Sequence, residues 1–309
     1  MIMNKRHQTL DNYFSVKYPL NASYFIYDPD SKRAYYTSDS NECTHFKFVV
    51  KQKLKEEWVY LFIKPVTSSK EVNLPEVTTP YTIPLLKSNL QKAIRRKHTS
   101  VAIHTALAIL QSDPNELLRR FPIICIEDVI PHPFINVLVW LMIANKNYPI
   151  QSLDMYSILC FVKWLCECPT SIPNILEEDT IRSLEYRELY GGMKGDMTLI
   201  QEVITKNESC RNGIEYKLHD TIWIKWLNDV ELLPESVDFH PYPSLLTIIS
   251  KQTGISSSQV KELIWVGESA VNVRKPDTIK MSLEIKSTEE WKRIEKKLNQ
   301  YRERILELN

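Results

Sequence analysis

Pro84-Leu85-Leu86-Lys87-Ser88-Asn89-Leu90-Gln91-Lys92-Ala93-Ile94-Arg95-Arg96-Lys97 marks the point where apolar spacing changes from two residues to nearly four. Leu85, Leu86, Leu90, Ala93 and Ile94 fall on one face of a helix, and Lys92, Arg95 and Arg96 share the opposite face. From here the helical period persists. Val101 to Leu110 is a helix of small and apolar residues, and Asp113-Pro114 opens the next, with proline where a missing N–H is tolerated. Pro133 to Ala144, with Trp140, and Ser152 to Cys166, with Trp164, are apolar enough to belong to a core. A further helix is expected over 177–189. Thr288 to Leu308 alternates Glu with Lys and Arg around Trp291, Ile294, Leu298, Ile305 and Leu308. That pattern predicts a solvated amphipathic helix able to form a coiled-coil contact.

Upstream of Pro84 the pattern is that of strands. Tyr24 to Tyr27, Ala34 to Thr37, His45 to Val50 and Glu57 to Ile63 are aromatic and β-branched, with turn formers such as Asp28-Pro29-Asp30-Ser31 between them. The expected fold is therefore mainly α: a small antiparallel β N-terminal domain followed by a large helical domain. Its expected parts are a mobile tail (1–20), a β-rich domain with linker (21–82), a helical domain (83–286) and a C-terminal helix (287–309).

Composition bounds the function. Among 309 residues, 43% apolar and 25% charged content is ordinary for a folded protein and argues against wholesale disorder. A net charge of +1 provides no global field, so contact with nucleic acid must come from a local patch. No apolar run approaches the roughly 20 residues of a membrane-spanning helix, and the polar N-terminus predicts an intracellular protein. With only 6 glycines, the chain lacks both a phosphate loop and a dinucleotide-binding glycine fingerprint. The six cysteines are irregularly spaced and several lie in apolar runs, as expected of reduced, buried thiols. Cys166-Glu167-Cys168 lacks the second pair a zinc site requires. Neither a metal nor a cofactor is expected.

Two stretches resemble known families. His7-Gln8-Thr9-Leu10-Asp11-Asn12-Tyr13-Phe14 resembles the peptide by which replication and repair proteins dock on sliding clamps (the PCNA-interacting peptide), Gln-x-x-(Leu/Ile/Met)-x-x-aromatic-aromatic. Leu10, Tyr13 and Phe14 fill its apolar positions, and His7 stands where the family has Gln. One helical turn would gather the three into a single plug, with Lys5, Arg6 and Lys17 steering toward an acidic surface. Residues 85–145 are similar to the C-terminal helical region of recombination-associated, clamp-loader-related AAA+ ATPases. There a Leu-x-Lys-x-Ile-Arg helix precedes Asp-Pro … Arg-Arg … Glu-Asp, matched here by Asp113-Pro114, Arg119-Arg120 and Glu127-Asp128. The ATPase core is missing, so the likeness implies a scaffold in a replication setting, with self-association, and not ATP hydrolysis.

The resulting expectation is a DNA replication or repair accessory protein without catalysis of its own, working in the nucleus or at a site of DNA replication. His7, Leu10, Tyr13 and Phe14 would bind the clamp. Lys87, Lys92, Arg95, Arg96 and Lys97 are the candidates for contact with DNA phosphates; the alternative for them is a solvated face paired with Glu116, Glu127 or Asp128. Arg119 and Arg120 are expected in an internal network with Glu127 and Asp128. Weaker candidates are Asp238 with His240 for acid–base work, Gly191 to Asp196 for close approach of a ligand, and a polar pocket of Trp265, Ser269, Asn272 and Arg274. A structural assembly protein with no clamp or DNA binding is the competing class.

Overall fold

The computed structural model describes residues 22–54, 57–67, 72–129, 132–168 and 229–307, with positions 218, 222, 224, 226 and 227. The clamp-like residues His7, Leu10, Tyr13 and Phe14 lie outside the described residues, as do the helix expected over 177–189 and Gly191 to Asp196.

Four strands, β1 (Ser23–Asp28), β2 (Arg33–Thr37), β3 (Lys47–Leu54) and β4 (Glu57–Ile63), form one sheet in the order β2-β1-β4-β3. Both hairpins are antiparallel, but β1 and β4 run parallel, with Phe25 opposite Leu61. The sheet is thus mixed, which corrects the antiparallel expectation. After β2, a 3-10 turn (Ser40–His45) buries Cys43 against Tyr24, Ile26 and Phe62 on the outer face. The chain enters the far edge as β3, and β4 returns to the centre alongside β1. Tyr24, Phe25, Ile26 and Tyr27 are all fully buried, as befits a central strand covered on both faces.

The inner face of the sheet carries Phe25, Tyr27, Val59, Leu61 and Ile63. It shares one apolar core with α1 (Ile83–Arg95), α2 (Thr99–Ser112), α3 (Pro114–Asp128), α4 (Ile135–Ala144) and α5 (Ser152–Glu167). The strands therefore do not form a core apart from the helices. Val101 to Leu110 of α2 are all buried, so this helix lies at the centre. As the sequence predicts, Asp113 caps α3 by accepting from Asn115 N at 3.1 Å, with Pro114 in the first turn. Trp140 Nε1 of α4 donates to the Phe25 carbonyl at 3.1 Å, and Tyr27 donates to Asp154 of α5 at 2.7 Å. Residues 72–82, expected as linker, are tied down: Val77 is buried and its N–H donates to Gln111 Oε1 at 2.9 Å.

A second apolar core gathers Val237, Phe239 and residues of α6 (Pro243–Thr253), α7 (Ser257–Ile264) and α9 (Glu289–Glu307). α7 continues into a wider π turn (Trp265–Ser269), followed by α8 (Pro276–Lys286). Gly254 ends α6 at φ 72°, a left-handed conformation that favours glycine. Gly267 lies so near Trp291 that a Cβ there would sit 2.6 Å from the indole. In α9, Trp291, Ile294 and Leu298 are buried in this core. The seam expected to meet another chain is covered within its own. No helix among the described residues is long and apolar enough to cross a membrane.

Candidate ligand-binding cleft

The polar face of α1 points at the last third of the chain instead of at solvent. Lys92 is only 4% exposed; its Nζ donates to Asp238 Oδ2 at 2.9 Å and to Ser88 Oγ, one turn earlier, at 3.0 Å. Arg95 donates from Nε to Asp128 Oδ1 at 2.6 Å and from Nη1 to the Ser269 carbonyl at 2.7 Å. Arg96 donates from Nη2 to the Glu268 carbonyl at 2.8 Å. Lys87 is half-buried and paired with Glu116 of α3. Lys97, also half-buried, ends the helix at φ 60°. None of the five candidates for phosphate contact is exposed. The pairs Lys87–Glu116 and Arg95–Asp128 are among those the alternative reading named. At i, i+3 and i+4 Lys92, Arg95 and Arg96 do share one side of α1, but that side is an internal seam.

Several weaker candidates meet at this seam. Asp238 Oδ1 accepts from Ser269 Oγ at 2.9 Å, His240 Nδ1 at 2.7 Å and His240 N at 3.2 Å. Burial pushes the Asp238 carboxyl up, yet the His240 hydrogen bond and the Lys92 charge outweigh it and hold the group well below the usual carboxylate range. The Trp265 ring packs 4.8 Å from the His240 ring.

Asn272 and Arg274, expected beside Trp265 and Ser269, instead fasten backbone. Asn272 Nδ2 donates to the Asp128 carbonyl at 3.0 Å, and Arg274 donates to the Ile94 carbonyl at 2.9 Å and the Cys166 carbonyl at 3.1 Å. Its cation thus meets carbonyls at the C-terminal ends of α1 and α5, where the helix dipole favours positive charge.

Between α1, the 236–245 segment and Trp265 opens a cleft of about 810 Å³. Lys87, Lys92, Arg95 and Arg120 line one side, and Asp238, His240, Tyr242 and Trp265 the other. Sequence reasoning missed Asn89, the residue that places this second wall. Its Nδ2 donates to Thr105 Oγ1 at 2.8 Å and the Glu231 carbonyl at 2.9 Å, and its Oδ1 accepts from Leu233 N at 2.9 Å and Ser236 Oγ at 2.6 Å. A polar residue amid Leu86, Leu90 and Ala93 is the signal that could have identified it, because a buried amide must find partners. The buried pair Arg302–Glu268 joins α9 to the π turn behind Trp265 and was likewise not foreseen.

Among the described residues no group of three or more His, Cys, Asp or Glu side chains is arranged to hold a metal ion. Cys43, Cys125, Cys160, Cys166 and Cys168 are buried and in no disulfide among the described residues, and burial pushes the Cys43 and Cys166 thiols up to about 11 and about 12. Neither a protein-family model, nor a curated protein, nor a solved structure matches this chain.

Proposed function

We propose that the chain is a binding protein: an accessory factor of DNA replication or repair that docks on a sliding clamp through His7, Leu10, Tyr13 and Phe14 and holds a second ligand in the α1 cleft. The observation that carries the reading is the spacing Leu10-x-x-Tyr13-Phe14, flanked by Lys5, Arg6 and Lys17. The body supports binding over catalysis. Asp238, the acid in the cleft, already accepts from Lys92, Ser269 and His240, so it orients its neighbours and has little capacity left to take a proton. Phosphate contact by a free row on α1 is not part of the proposal, since Lys92, Arg95 and Arg96 are held internally. Assembly through the last helix has less support, because Trp291, Ile294 and Leu298 are covered within the chain.

Titration calorimetry of the full chain against a sliding clamp tests recruitment. Binding is expected, and Tyr13→Ala with Phe14→Ala should weaken it by several kcal/mol if the two aromatics are the buried anchors. Undiminished binding by the double variant, or none by the wild type, would remove the proposal.

A further inference from the structure

The cleft joins a cationic wall, each of whose cations also has a partner within the chain, to an aromatic one. Its α1 and α3 wall presents four cations, Lys87, Lys92, Arg95 and Arg120, and Asp238 is the one acid among the described lining residues. The facing wall presents large aromatic surface: Tyr242 is 59% exposed and Trp265 40% exposed. Two large aromatics exposed at one recess offer a contiguous apolar contact surface. The volume, about 810 Å³, lies within the range of small-molecule sites. A ring to stack on Trp265 and an anionic group to meet the cationic wall satisfy both sides at once.

We propose that this cleft binds a nucleotide unit, its base stacked on Trp265 and its phosphate drawn to the Lys87 and Arg120 side. Lys87 has a half-buried side chain paired with Glu116, and Arg120 donates to Gln91. Lys92 and Arg95 lie deeper and contribute field more than contact, being bonded to Asp238 and Asp128. Base stacking on an aromatic side chain is tolerant of base identity, and the phosphate attraction is sensitive to salt. An acidic peptide would meet the cations and leave the two aromatic faces unused. The proposal rests on the second-ligand half of the function proposed above, whose ligand class it names, and is independent of clamp docking.

Calorimetry on the full chain provides the test, with dAMP, deoxyadenosine, ribose 5-phosphate, a short 5′-phosphorylated single strand and a glutamate-rich peptide as probes. Binding of dAMP is expected, weakening as salt rises, with deoxyadenosine and ribose 5-phosphate each at least about tenfold weaker. Trp265→Ala should reduce dAMP affinity at least about tenfold without changing the melting temperature, and Trp265→Phe should recover part of it. If Trp265→Ala fails to fold, Tyr242→Ala and Trp265→Phe supply the same comparison. Tighter binding of the strand than of dAMP would identify a strand end as the source; equal binding would identify free nucleotide. The proposal is overturned if neither dAMP nor the strand binds, if ribose 5-phosphate matches dAMP, if the glutamate peptide binds best, or if Trp265→Ala binds like the wild type. The Tyr13→Ala, Phe14→Ala variant should lose the clamp and keep dAMP, so the two readings fail separately.

Discussion

Asp154 and Asp238 are both buried carboxylates, and their surroundings have opposite character. Among the described residues Asp154 accepts from neutral donors: Tyr27 at 2.7 Å, Tyr148 at 2.8 Å and the Gln151 backbone at 2.8 Å. Burial dominates, and its pKa stays raised in spite of those bonds. Asp238 has Lys92 and His240 beside it, and its pKa is lowered. The first joins sheet to helix. The second sets the floor of the cleft, where a retained charge can orient a ligand. A buried acid is therefore a fastener or a site feature according to the charge of its donors, not its depth.

The largest expected effect comes from Asp154→Ala. It leaves the buried Tyr27 hydroxyl and the half-buried Tyr148 hydroxyl without their acceptor and removes the reciprocal cap of α5, at a cost of about 4 kcal/mol in urea unfolding. A loss below about 1 kcal/mol would show that neutral donors do not make this acid a fastener. Next comes Lys92→Met, which strips Asp238 of its cation and should cost about 3 kcal/mol. Carboxyl NMR should then show the Asp238 pKa moving up; an unmoved value would mean that His240 and Ser269 suffice.

The smallest effect sharpens the contrast by sign. Asp238, lowered in the fold, contributes stability present above about pH 4 and lost as pH falls below that. Asp154, raised in the fold, contributes most below about pH 4 and loses this as pH rises toward its folded value. Asp238→Asn should flatten the acid-side fall of the stability curve, and Asp154→Asn should remove a decline on its neutral side. Each change is expected at about 1.4 kcal/mol per unit of pKa shift. Unfolding midpoints at pH 3, 5 and 7 for the three proteins check this, and parallel curves would dissolve the distinction.

Much of the architecture was legible because it depends on local period. The apolar stripe of α1, the Asp113-Pro114 start of α3 and the aromatic strands all follow from neighbours within one or two turns. The parallel β1–β4 pairing was not legible, since the 3-10 turn Ser40–His45 that reverses the expected connection leaves no distinct pattern in the sequence. The cleft was legible only in pieces. Lys92, Asp238, His240 and Trp265 were each noticed, but the Lys92–Asp238 bond spans 146 positions and no spacing rule reaches that far. Charge on one helical face reads as solvated by default, and here a later segment covers it.

Asn89 has a consequence for the order of events at the ribosome. Three of its four bonds reach Glu231, Leu233 and Ser236, more than 140 positions downstream. While the chain is being made, α1 and its neighbours emerge long before these partners exist. Domains gather during synthesis from the N-terminal side, and contacts of long sequence separation form late. The nascent sheet and first five helices must therefore wait with a polar row on α1 facing water. The cleft comes into being only as the last third of the chain docks on α1.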